Sequence, residues 1–310
     1  MSKNQRAPNI VAAYVDLLRM RILVMVMVAC AIGYIMADHG QFDPLRFTLT
    51  LLGTGMMSGA SCALNCYFER DLDALMPRTS QRPIPAGMIS PRKALVFGAL
   101  LLFLGGLILF TQINILAGIL GLTATFVYLV IYTPAKRYTW LNTSIGAIPG
   151  AIPPLIGWAA ATGQVSAGGW ILFTMLFFWQ HTHFFPIAWL YKEDYKKGGF
   201  KMLPVLELTG DKTFRLTVAS AICLLPISLL LFVLGSAGYA YCAAATLCGT
   251  LLIAAGCKLA KSPSRIAARN VLLLSVFYLP VILATVILDR YGANFGTHFL
   301  SWLETVWRWT

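Results

Sequence analysis

The chain has 310 residues, 58% hydrophobic and 12% charged, with a formal net charge of +12. Soluble domains carry roughly twice that charged fraction, and long apolar runs recur along the whole length, so the composition argues for the bilayer as solvent. The basic excess would suit nucleic acid, but its placement along the chain argues against that partner.

From Asn9 to Met20 apolar and polar residues alternate in a helical way. Residues 1–21 are therefore expected to form a cytoplasmic segment with an amphipathic helix. The apolar run after Arg21 is followed by no small-residue cleavage motif before Asp38 and His39, so it reads as a retained first span.

Nine apolar segments follow in chain order, each near the roughly 20 residues that cross a hydrocarbon core. They are Ile22 to Ala37, Phe47 to Phe68, Ala94 to Phe110, Ile113 to Tyr132, Leu141 to Ala161, Trp170 to Tyr191, Leu216 to Leu234, Tyr239 to Gly256 and Val271 to Leu288. The first is short and is expected to begin a turn earlier, with Arg21 snorkelling.

All Lys and Arg except Arg46, Arg290 and Arg308 fall on one side of this nine-span alternation. Such bias marks the cytoplasmic side. The N-terminus is then inside, and the tail at 289–310 lies at the outer face, where Trp302, Trp307 and Trp309 would form an aromatic anchor. The expected fold class is all-α: one polytopic membrane domain over 1–310, with nine helices around a central cavity.

The loops at 69–93 and 192–215 are long, and long loops in compact proteins are usually functional. The fifth segment holds Pro149, Pro153 and Pro154 with Gly146, Gly150 and Gly157. Prolines free backbone carbonyls that a neighbour or a cavity must satisfy, so a kinked, cavity-lining helix is expected. All seven cysteines lie in or beside apolar runs, without zinc or haem-attachment spacing, and read as small buried hydrophobes.

The chemistry concentrates at the end of the second segment. Asn65, Glu69 and Asp73 are four residues apart, so they share one helical stripe, whereas Asp71 sits off it. Carboxylate and amide oxygens are hard ligands suited to magnesium, which keeps waters and bridges to substrate phosphates. Arg78 and Arg82 follow at once, and arginine forks match phosphate oxygens. Tyr132 and Lys136 are also four apart and meet if that helix continues. The sixth segment carries Trp179, Gln180, His181 and His183, polar groups that are costly in a span unless they face a cavity, a ligand or another helix. His181 and His183 point about 200° apart and cannot share one centre.

These motifs resemble those of the intramembrane UbiA-type prenyltransferases, and most closely the protohaem IX farnesyltransferase (haem O synthase) family. The resemblance rests on Asn65 through Pro83, Tyr132-Thr133-Pro134 with Lys136 and Arg137, Trp179-Gln180 with His183, and Asp194-Tyr195 ahead of Met202-Leu203-Pro204. It implies a Mg2+-dependent enzyme of the bacterial inner membrane that transfers a farnesyl group from farnesyl diphosphate to haem b, with its active site on the cytoplasmic side.

The same resemblance assigns roles. Asn65, Glu69, Asp73 and Asp194 would hold the metal. Arg78, Arg82, Lys136 and Arg137 would bind diphosphate. Tyr132 and Lys136 would complete the catalytic set. Haem would meet His183, His181 and Trp179, and Trp179, Phe178, Phe184 and Tyr132 would wall an allylic cation. A haem A synthase or oxidase-assembly partner and a homo-oligomer are compatible with it.

The chain departs from the pattern in places: Glu69 replaces the middle Asp of the superfamily motif, and Thr182 stands where the haem family has a proline. Gly198 stands four after Asp194, where the superfamily repeats an acid. Arg19-Met20-Arg21 replaces a Lys-Pro-Arg pattern, so only Arg21 carries over. The rival readings are a quinone-pathway aromatic prenyltransferase and a cation-coupled transporter.

Overall fold

The computed structural model describes residues 10–38, 40, 42–207 and 209–307, with residues 290–307 described by backbone alone. The expectations for Lys3, Arg6, Asn9 and His39, and those for the side chains of Arg290, Trp302, Trp307, Arg308 and Trp309, fall outside what is described.

Among the described residues the chain is helical, without strands. Helix α1 (Ile10–Leu17) is amphipathic and ends in a tight turn through Arg19 before α2 (Met20–Ala37). Helix α3 (Pro44–Phe68) starts at an Asp43 cap that accepts from the backbone N–H groups of Leu45 and Arg46, with Pro44 in the first turn. A single turn, α4 (Arg70–Asp73), extends it.

Ser90 and Pro91 open α5 (Pro91–Ile108), which closes with a π-helical turn over Leu109–Ile113. Asn114 then caps α6 (Ile115–Phe126). A second π-helical turn, Val127–Tyr132, leads directly into α7 (Thr133–Tyr138). Next come α8 (Asn142–Ala151) and α9 (Pro153–Thr162), then α10 (Ala167–Leu190), followed by the short α11 (Lys192–Lys197) and α12 (Leu203–Leu206). The chain finishes with α13 (Asp211–Val233), α14 (Tyr239–Lys261) and α15 (Arg265–Trp307).

Eight described helical segments are long and apolar enough to cross a membrane. The expected sixth span, α10, has the length at 24 residues, but Gln180, His181, Thr182 and His183 dilute its apolarity. The expected count of nine requires α10 as a further span beside these eight; its Gln180, His181 and Thr182 are buried within the protein. The expected break after Leu288 is absent, because the helix of the last span runs on to Trp307. Phe103, Ile115, Val233 and Phe277 point outward and exposed, as lipid contact requires.

The fifth span breaks at Ile152, between α8 and α9, where Pro153 and Pro154 cannot donate to the helix ladder. Helix α9 lies against α2 so closely that a Cβ on Gly157 would collide with the Cys30 carbonyl. The loops after α3, α7 and α10 gather at one end. Arg78 stacks on Tyr191 and Tyr195, and the Lys201 amide donates to the Lys136 carbonyl at 2.7 Å.

This gathering matches the parity of the expected topology, which labelling can check. In a background lacking native cysteines, Ser80→Cys and Ser262→Cys are expected to react from the cytoplasm and Ser166→Cys from outside. Labelling of Ser80→Cys and Ser166→Cys from one side would break the alternation.

Candidate active site

The stripe on α3 survives its helix end. Glu69 donates its amide to the Asn65 carbonyl at 2.9 Å, and Asp73 donates to the Glu69 carbonyl at 2.8 Å, so the four-residue spacing continues through the junction with α4. Asn65, Glu69 and Asp73 are all buried, while the Asp71 side chain is 83% exposed.

Each stripe residue meets one cation from a different part of the chain. Lys136 Nζ donates to Glu69 Oε1 at 2.8 Å. Arg82 NH1 reaches both Asp73 oxygens at 2.7 and 2.6 Å. Arg19 NH2 donates to Asn65 Oδ1 at 3.1 Å. The Asn65 amide nitrogen donates to Thr133 Oγ1 at 3.0 Å, and Thr133 Oγ1 donates to the Tyr128 carbonyl at 2.8 Å.

Glu69, Asp73 and the three cations line a cavity of about 330 Å³ between the helices, whereas Asn65 is buried behind its wall. Charged lining comprises Arg19, Arg78, Arg82 and Lys136 against Glu69 and Asp73. Positive charge is thus in excess where the medium screens little, which favours a polyanion. Away from these charges the lining mixes apolar residues such as Met57, Gly121, Ala124, Pro153 and Ile156 with the hydroxyls of Thr54, Ser58, Ser61 and Thr125.

Tyr132 joins as expected. The π-helical turn carries the helix into α7, and Lys136 Nζ sits 4.6 Å from the Tyr132 ring centre. Tyr128 stands beside it at 5.3 Å between ring centres. Gln180 and Phe184 line the cavity from α10, and Gly150 leaves the room that Gln180 occupies. Tyr195 closes the mouth with Arg78; its burial raises the phenol above its ordinary value, and the Arg78 charge opposes that rise.

The remaining expected residues are not brought to the lining. Asp194 and Arg137 lie outside it, Asp194 partly exposed and Arg137 exposed. Phe178, Trp179, His181 and His183 also stand apart from it. Trp179 Nε1 donates to the Ser275 carbonyl at 2.7 Å, and His183 stacks on Trp179 with Nδ1 at 2.8 Å from Ser275 Oγ, so both face α15. His181 uses both ring nitrogens, one with Ser144 Oγ at 2.8 Å and one with the Phe177 carbonyl at 2.7 Å.

The residue carried over near the first span needs correction. Arg21 is exposed, and Arg19 enters the cavity instead. Arg19 and Tyr128 are among the lining residues that sequence reasoning missed.

For a divalent metal, the donor set is Glu69 and Asp73 with Asn65 adjacent. Among the described residues no cluster of three or more His, Cys, Asp or Glu side chains is placed to hold one. Two hard carboxylates fit magnesium when phosphate oxygens and water complete the shell. Lys136 and Arg82 compensate the two carboxylates in this structure.

The fold and this cavity define an intramembrane protein whose site sets four cations against two buried carboxylates. The chain belongs to the UbiA prenyltransferase family, which matches residues 26–296. It is similar to the protoheme IX farnesyltransferase of Solibacter usitatus, with 40% identity over 90% of this chain and 99% of that protein. That of Opitutus terrae is 38% identical over 89% of this chain and 94% of its own.

Solved structures share the fold. A digeranylgeranylglyceryl phosphate synthase superposes with a TM-score of 0.77 at 22% identity, covering 90% of this chain and 98% of that one. A UbiA homologue from Archaeoglobus fulgidus bound to GPP and Mg2+ gives 0.64 at 18% identity, covering 88% and 99%.

Proposed function

We propose that the chain transfers the farnesyl group of farnesyl diphosphate to a vinyl group of haem b, with hydration, to make haem O for terminal oxidases. The observation that carries the diphosphate half is the cavity mouth, with four cations against two buried carboxylates. A pathway for cations would carry the opposite balance. The names of the relatives support the farnesyl donor and the haem acceptor.

In this reading Glu69 and Asp73 would hold Mg2+, with Asn65 beside them, and the bound metal would supply positive charge towards the leaving diphosphate. Arg78, Arg82 and Lys136 bind the diphosphate oxygens. Charge stabilisation of this kind, preorganised where water is scarce, is the main lever on the barrier. The C1–O bond breaks heterolytically, leaving an allylic cation on the farnesyl chain and the electron pair on diphosphate. Tyr132, Tyr128 and Phe184 present ring faces to that cation. The terminal vinyl carbon of haem bonds to C1. Water adds to the resulting cation and loses a proton, leaving the hydroxyl.

Along α3 the cavity lining runs from Glu69 past Met57 to Thr54. Glu69 to Met57 spans about 18 Å of helix. Farnesyl, with about a dozen chain carbons, is as long as four extended residues, about 14 Å. Met57→Ala is therefore expected to raise the use of geranylgeranyl diphosphate relative to farnesyl diphosphate. An unchanged ratio would remove Met57 as a limit on chain length.

For haem, the bonding of the two histidines favours His183 as the axial ligand. Its Nδ1 is engaged by Ser275, which leaves Nε2 for iron, whereas both His181 nitrogens are committed. His183→Ala is expected to shift the Soret band of bound haem more than His181→Ala. Sensitivity to His181 alone would reverse the assignment. Phe184, next along α10, lines the cavity and links this face to the diphosphate site.

The reading places a single nine-span domain in a bacterial cytoplasmic membrane with the cavity mouth inside. Haem O carries a long apolar chain that keeps it in the membrane, so a haem A synthase or oxidase-assembly protein is the fitting partner, met by the chain alone or as a homo-oligomer. The test is purified protein with haem b and farnesyl diphosphate, read by product mass. Prenylation of an aromatic acid instead of haem would overturn the acceptor.

A further inference from the structure

Among the described residues, Arg19 is the one non-glycine with a positive φ, at +50°. A left-handed backbone at a side-chain-bearing residue costs free energy and persists when its surroundings impose it, which happens often at functional sites. Arg19 occupies the turn between α1 and α2, where continuous helix would have been the cheaper solution. The turn sends its guanidinium across to α3, 3.1 Å from Asn65 Oδ1 and 3.5 Å from Cys66 Sγ.

No acidic side chain is among these hydrogen-bond partners. The other two stripe cations hold carboxylates, Lys136 on Glu69 and Arg82 on Asp73, whereas Arg19 holds a neutral amide at the wall of the same cavity. A guanidinium beside an uncharged partner retains most of its capacity for an anion, and its planar fork suits phosphate oxygens. Through Asn65 it also connects to Thr133 and the Tyr128 carbonyl, so its contact reaches the π-helical turn that positions Tyr132.

We infer that Arg19 is a diphosphate-binding residue of this site, delivered from the first helical turn by a left-handed backbone, and that Arg21 is not. The inference rests on the prenyl diphosphate reading above and gives Arg19, so far only one of the lining cations, a direct contact with the diphosphate. When the anion enters, the guanidinium shares itself between Asn65 Oδ1 and a phosphate oxygen.

The test is calorimetric titration of the solubilised full chain with inorganic pyrophosphate in the presence of Mg2+, alongside thermal unfolding. Arg19→Gly removes the guanidinium and suits the left-handed backbone, since glycine tolerates positive φ. It is expected to weaken pyrophosphate binding at least about tenfold, the scale of one charge-assisted contact, without lowering the unfolding temperature. Arg19→Ala is expected to weaken binding equally and to unfold earlier, because its Cβ keeps the strain and its contacts are gone.

Binding unchanged in Arg19→Gly would overturn the inference and leave Arg19 as a structural tie. So would a larger loss in Arg21→Ala than in Arg19→Gly. If the unmodified chain itself binds no pyrophosphate, the prenyl diphosphate reading fails together with this one.

Discussion

Glu69→Ala and Asp73→Ala are each expected to lower turnover by at least about a hundredfold, the scale on which removal of one preorganised electrostatic group acts. Both carboxylates are buried at the cavity mouth, at 4% and 1% exposure. Asp71, two residues from each, is expected to tolerate alanine with about twofold change at most. Its side chain faces solvent and touches only Arg70, at 3.7 Å. The contrast is measured as steady-state turnover of the three variants at matched expression. Equal losses at all three would remove the helical stripe as the organising feature. Chelation of divalent ions is expected to match the Glu69→Ala loss, and full activity in chelator would end the metal assignment.

Lys136→Ala is expected to be inactive and also the more destabilising change. It leaves Glu69 buried without its ion partner, and breaking a buried pair from one side typically costs about 3–5 kcal/mol. The pair lies at 2.8 Å with side chains 13% and 6% exposed, so solvent offers Glu69 little compensation. Adding Glu69→Gln to Lys136→Ala removes the stranded charge. The double variant is expected to recover most of the lost unfolding temperature and none of the turnover. A Lys136→Ala protein with unchanged stability would show that water replaces the ammonium freely. One with normal turnover would show that the diphosphate does not use it.

The pairing also explains why Asn65 differs from its two stripe neighbours. An amide carries no net charge to be neutralised, so its cation remains available to a second anion. The sequence pattern treats the three positions alike, and only the partners separate them.

Membrane class, helical content and the offset of Asp71 from Asn65, Glu69 and Asp73 were determined by the sequence itself. Each follows from composition or from the fixed rotation per residue within one helix, and neither depends on what packs against it. Orientation of the apolar helices is a different matter. A helix that is hydrophobic all round has no periodic face to read, so α10 could not reveal that Gln180 and Phe184 look into the cavity while Trp179 and His183 look towards α15.

Arg19 and Arg21 are likewise two basic residues in one short segment, and local pattern favours neither. Their separation is decided by the left-handed turn at Arg19 and by the seating of α1 and α2 against α3. The tertiary structure alone decided which cation each stripe residue meets, because Arg19, Arg82 and Lys136 come from parts of the chain that converge only through the close packing of α2 on the broken α8–α9 span and of the loops over the cavity mouth.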